Sequence, residues 1–361
     1  MPKLGTNCFN AASALAVATA GAALTLSAQA PPAEAKGVFS VERPAGTAAF
    51  DATKSFDEAI QSLGRGGGTI RIQTPGTYLI SSTLVFDGSL AVRIDCDAGA
   101  SRAANDHQTI DLIYTGKSGS LIRALSSKAF EIAHCNLAYS DPDYDGDLIV
   151  LDAAPGKPDT SHAYLHDNRI GGLSTTKAKA SSLVHLNHSN QIVLERNFFI
   201  SATTGILGPS ESILNSNLVS IRNNWFNGPF GDVAIRGGGS TWTIAENVFE
   251  PKSKEVCGAF NTTAAGLLVL SFRGNWIGDG HLGTCIAASG GPIQGGEITG
   301  NEIEGGAVGI DLGKSDGISI TGNRFEILRT AIEAASATNL NIIANNFASI
   351  SPANRVHGAT H

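Results

Sequence analysis

Leu165-His-Asp-Asn168-Arg-Ile170, Leu194-Glu-Arg-Asn197-Phe-Phe199, Ile221-Arg-Asn-Asn224-Trp-Phe226 and Ile244-Ala-Glu-Asn247-Val-Phe249 are one phrase written four times. It is an apolar residue, two variable positions, Asn, one variable position and a large apolar residue. The Asn returns at Asn275, Asn301, Asn323 and Asn345, always 22 to 29 residues after the last. Upstream of each Asn the apolar residues alternate, as in Ile192 and Leu194, Val219 and Ile221, or Ile318 and Ile320. A period of two means strands with one buried face. A rung of short strands cannot bury that face alone, whereas rungs stacked about 4.8 Å apart close a continuous core. The repeat therefore predicts an all-β protein, a right-handed single-stranded parallel β-helix. The Asn is expected at the bend of each rung, because it tolerates the left-handed region and its amide can bond from rung to rung. Phe199, Phe226, Phe249, Phe325 and Phe347 are expected to stack inside. The Leu-x-x-Leu-x-Leu frame of leucine-rich repeats, the main rival at this period, is absent.

Composition agrees. Of 361 residues 42 are Gly and only 16% are charged, which suits strands and tight turns and excludes a disordered chain or a coiled coil. The net charge of −7 leaves no basic surplus for nucleic acid, which is not expected as a partner.

Residues 1–35 read as a signal peptide: Lys3, an Ala-rich apolar stretch, and Ala33-Glu34-Ala35 as the cleavage site. Residues 36–361 then form one β-helix domain, secreted or periplasmic, with no membrane span after cleavage. Its rungs are placed over about 130–350. Four cysteines remain in an oxidising compartment. Cys257 and Cys285 each lie ten residues past their rung's Asn, so they are expected to pair, with Cys96 and Cys135 as the analogous pair.

Phe56, Ile60 and Leu63 mark one face of a helix over about 51–64, ended by Gly64 and placed to cap the solenoid. Next come Gly67-Gly-Thr-Ile70, Pro75-Gly-Thr-Tyr78 and an apolar strand to Leu84. In these motifs the chain resembles the pectate-lyase-like superfamily, in the branch that includes rhamnogalacturonase- and epimerase-like proteins. The resemblance implies the same β-helix, a polysaccharide substrate and an activity among lyases, hydrolases and epimerases. Because many relatives of this shape are trimers, it also implies a homotrimer.

On the strand that opens each rung, the outward positions are read as Arg123, Asp152, His185 with Asn187, Leu207, Asp232 with Arg236, and Asn261. The segments 141–147, 155–161, 174–180 and 209–217 would wall a groove around them. Asp152, His185, Asp232 and Arg236 are the candidate catalytic residues, with Arg123, Asn187 and Asn261 as substrate ligands. Asp152 is expected to orient His185 as general base. Such a base, with Arg236, Arg123 or Asn187 neutralising a carboxylate, suits β-elimination on a uronic acid, so a polysaccharide lyase is the first reading. A hydrolase would need two carboxylates about 5 to 5.5 Å apart for retention, which Asp311 and Glu333 match as in-phase residues, or a loop carboxylate such as Glu211 facing Asp232. A non-catalytic glycan-binding or structural solenoid is the third reading. His134, His166, Glu195 and Arg222 form a second polar ladder on the next sheet, read as surface charge pairing.

None of this chemistry requires a cofactor. One metal is suggested: Asp141, Asp143, Asp145 and Asp152, with Gly146 at the sixth position, have the ligand spacing of a calcium loop.

Overall fold

The computed structural model describes residues 37–47, 49–97, 109–173, 180–250, 258–280, 282–326 and 328–358. The expected signal peptide and Cys257 lie outside these. No helix among the described residues is long and apolar enough to cross a membrane.

One rung shows the plan. An opening strand Ser182–Leu186 runs into a second strand Ser189–Glu195, which bends at Asn197 into a third, Phe198–Ile200. Each strand pairs in parallel with its equivalent one rung away, so Ser182–Leu186 lies between Asp147–Asp152 and Ala202–Leu207. The third strands make a separate twelve-stranded sheet. The alternating pattern marks two strands per rung; the third is short because only the one large apolar residue after the Asn must reach the core.

Register turns the repeat into columns. Ile70, Ile94, Ile132, Leu165, Leu194, Ile221, Ile244, Phe272, Ile298 and Ile320 pair in unbroken succession, and all are buried. Each such side chain contributes roughly 1.5–3 kcal/mol relative to exposure, and a slip by one residue would turn the whole column outward. The expected phenylalanine stack forms, with Phe226 4.8 Å from both Phe199 and Phe249, and Phe325 5.4 Å from Phe347. At the N-terminal end, helix α1 (Thr53–Leu63) buries Phe56, Ala59 and Leu63.

At the bend the structure corrects the sequence reading. The left-handed residue is the one before the Asn: Asp167, Arg196, Asn223, Glu246, Gly274, Gly300, Gly322 and Ala344 have φ between 53° and 65°. The Asn itself supplies hydrogen bonds. Asn247 Nδ2 donates to Ile221 O (2.9 Å) and Asn275 Oδ1 (3.0 Å), while its own Oδ1 accepts from Asn224 N (2.9 Å) and Nδ2 (3.0 Å). The same links run from Asn168 to Asn345. One rung earlier Cys135 occupies this position, with its N–H donating to Asn168 Oδ1 (3.0 Å). Its disulfide to Cys96, at a Cα–Cα distance of 5.1 Å, ties the first rungs together. Cys285 is disulfide-bonded as well.

Candidate active site

The opening strands carry one outward column in strict register: Val85, Arg123, Val150, His185, Leu207, Arg236, Asn261, Ala287, Asp311 and Glu333. Alternation with the buried Ile149, Val184, Ile206 and Ile235 turns these residues outward. His185 thus has aliphatic neighbours one rung away on each side, and Arg123 and Arg236 two rungs away, about 9.6 Å.

The His–carboxylate pair exists, with a different acid. His185 Nδ1 lies 2.9 Å from Asp147 Oδ2, and Ser182 Oγ donates to Asp147 Oδ1 at 2.6 Å. Asp152 is two residues beyond the His185 rung position; its Oδ1 accepts from Ala153 N (2.7 Å) and lies 3.1 Å from His188 Nδ1. Burial pushes the Asp147 carboxyl up, but hydrogen bonds from His185 and Ser182 outweigh it and hold the group below the ordinary aspartate value. Asp147 stays ionised beside the imidazole. With Nδ1 occupied, Nε2 is left for a substrate proton, and the imidazole is 28% exposed. Strand alternation hid Asp147: it shares phase with inward-facing Ile149, and only its place at the start of the strand lets its side chain reach His185.

The other candidates are in place but differently engaged. Arg236 donates through Nε (3.0 Å) and Nη2 to Asp232 four residues earlier on its own strand, so these two form an ion pair. Arg123 is exposed. Asn261 exchanges hydrogen bonds with Ser289, Nδ2 donating to Ser289 Oγ at 2.8 Å. Asn187 is half-buried and follows His185 by two residues, in line with Asp152. Asp311 and Glu333 are paired on neighbouring rungs. Glu211 is exposed, and no contact joins it to Asp232 among the described residues. Of the groove walls, 174–179 lie outside the described residues.

The calcium spacing does not become a calcium loop. Asp141 caps a turn, its Oδ1 accepting from Asp143 N at 2.8 Å, and Tyr144 is buried with its hydroxyl donating to Gly119 O. Asp147–Asp152 is an extended strand. At roughly 3.3 Å per residue, that strand carries Asp152 far from Asp141, Asp143 and Asp145. The turn holds three acidic residues without the twelfth.

No protein-family model and no curated protein matches this sequence. Solved structures do. ORF18 of Geobacillus virus E2 aligns over 86% of this chain and 62% of its own length, with a TM-score of 0.58 and 14% identity. The Dettilon tailspike protein aligns over 87% and 62%, with a TM-score of 0.56 and 10% identity. A hyperthermoactive exopolygalacturonase from Thermotoga maritima aligns over 82% and 88%, at 0.50 and 10%. The fold is a right-handed parallel β-helix, shared with these structures. The chain spans under two thirds of the length of the first two of these proteins.

Proposed function

We propose that this pectate-lyase-like β-helix acts on a polysaccharide and is a lyase for a uronic-acid-containing glycan. The observation that supports this reading most is the 2.9 Å contact between His185 Nδ1 and Asp147 on a strand face with arginines two rungs to either side. His185 Nε2 would take the proton α to the uronate carboxylate. The electron pair of that C–H bond forms the new C=C bond, the glycosidic oxygen leaves as the other product protonated by water, and the imidazolium returns its proton to the hydroxide left behind. Asp147 steadies the imidazolium that results, and Arg123 offsets charge growing on the substrate carboxylate. Arg236, already paired with Asp232, would help position the chain. Secretion is part of the proposal and is supported by the Cys96–Cys135 disulfide, a bond that persists in oxidising compartments. A homotrimer is also part of it, and light scattering would distinguish it from a monomer.

Incubation with uronic-acid polysaccharides followed by mass spectrometry tests the reaction class. Elimination gives fragments whose masses sum to that of the substrate, hydrolysis adds one water, and epimerisation leaves the mass unchanged. A second reading, a retaining hydrolase at Asp311 and Glu333, is supported by their pairing on adjacent rungs, about 4.8 Å apart along the solenoid.

A further inference from the structure

The second polar ladder is more than surface charge pairing. His134 and Asp167 are the left-handed residues at the bends of adjacent rungs, with φ of 62° and 55°. His166 precedes Asp167 and is nine-tenths buried. Each of the three offers one donor atom, and these atoms lie within 4.8 Å of one another. Around them stands an outer layer of carboxylates. Asp95 Oδ1 is 2.9 Å from His134 Nδ1, and Glu131 Oε1 is 2.9 Å from His166 Nε2. Tyr164 stacks on the His166 ring at 4.0 Å. Arg93 pairs with both Asp95 and Glu131, and Arg196 with Asp167.

This is the pattern in which a carboxylate holds one ring nitrogen of a metal-ligating histidine, fixing its tautomer and leaving the other nitrogen to the ion. The nitrogens left are Nε2 of His134 and Nδ1 of His166. At present Asp167 Oδ2 sits 2.7 Å from that Nδ1, and Arg196 donates to both Asp167 oxygens at 2.8 Å. A tetrahedral zinc site spaces its ligands by roughly 3.4 Å, a modest closure from the present separation. Two imidazoles and one carboxylate with an open fourth position suit zinc or a similar borderline ion, not calcium.

We propose that His134, His166 and Asp167 form a divalent transition-metal site, with Asp95 and Glu131 holding the two imidazoles and water completing the coordination.

The test is titration of the full chain, stripped with chelator, with zinc, read by calorimetry, and with cobalt(II), read by its visible absorption. One equivalent of zinc, weakened at least tenfold in His134→Ala and Asp167→Asn but unchanged in His185→Ala, is the expected result, with tetrahedral cobalt bands that fade in the same two variants. Asp95→Asn, which leaves the ligands in place, should weaken binding by about 10- to 100-fold. His134 is 40% exposed, so its replacement leaves the core intact. The absence of stoichiometric zinc binding by the wild-type chain would overturn the proposal, as would binding that survives both ligand substitutions or that His185→Ala abolishes.

Discussion

His185 and Asp147 meet across 38 residues of sequence, Nδ1 to Oδ2 at 2.9 Å, because adjacent rungs stack their opening strands in register. A carboxylate-held imidazole of this kind is suited to proton abstraction.

That pairing makes the first prediction. His185→Ala should lower turnover by about 10²- to 10⁴-fold, and Asp147→Asn should also lower it, by removing the charge that steadies the imidazolium. Asp152→Asn should leave the rate near wild type, since Asp152 pairs with His188. Steady-state rates with circular dichroism on each variant check this, and a slow Asp152→Asn enzyme beside normal Asp147→Asn would return the role to Asp152.

The Asn ladder predicts a position-dependent cost. In Asn247→Ala the buried N–H of Asn224 loses its acceptor and Ile221 O loses a donor. Each buried group so stranded costs about 1–3 kcal/mol, giving roughly 2–6 kcal/mol for the two, a large value for one substitution. Asn345 ends the ladder and is only half-buried, so Asn345→Ala should cost far less. Denaturant unfolding of both variants measures the difference.

Stability should fall on both sides of a plateau in pH. Hydrogen bonds from Arg196, working against partial burial, hold Asp167 at about 2, and Asp147 and Glu195 also sit below their ordinary values. Groups depressed in this way stabilise fully above their unfolded values, near pH ~4, and lose that contribution as the pH falls toward about 2. His166 runs the other way: burial pushes it down, but hydrogen bonds to Glu131 and Asp167 outweigh this and raise it above 6.5. Its contribution is complete below pH ~6.5 and disappears as the pH rises through the folded value. Thermal melts of wild type and His166→Gln across the pH range check both arms; the alkaline arm should be missing in the variant.

The Cys96–Cys135 bond closes a separation of 39 residues. On the chain-entropy model its loss costs about 4 kcal/mol, so a Cys135→Ser variant should melt well below wild type. Peptide mapping without reduction should recover the linked pair.

The fold was legible because its signal is repeated. One phrase returning from Asn168 to Asn345 sets strand, bend and register together, and the buried columns obey it. The bend was misassigned because the residue before the Asn varies in type: Asp167, Asn223 and the Gly at 274, 300 and 322 tolerate a left-handed backbone, whereas Arg196, Glu246 and Ala344 do not announce one. The site was half legible. Alternation placed His185, Arg123, Arg236 and Asn261 on one outward column. It could not find Asp147, which leaves the alternation at the start of its strand, or show that Arg236 turns back to Asp232. Asp141, Asp143 and Asp145 matched a calcium spacing whose twelfth position, Asp152, is drawn out along a strand.

The most direct test of the account is the ultraviolet absorbance of unsaturated uronate during incubation of wild type, His185→Ala and Glu333→Gln with a uronic-acid polysaccharide. The chromophore should grow with wild type and Glu333→Gln and be at least about 100-fold slower with His185→Ala. Cleavage without the chromophore, unchanged in His185→Ala and lost in Glu333→Gln, would contradict it and place a hydrolase on the C-terminal rungs.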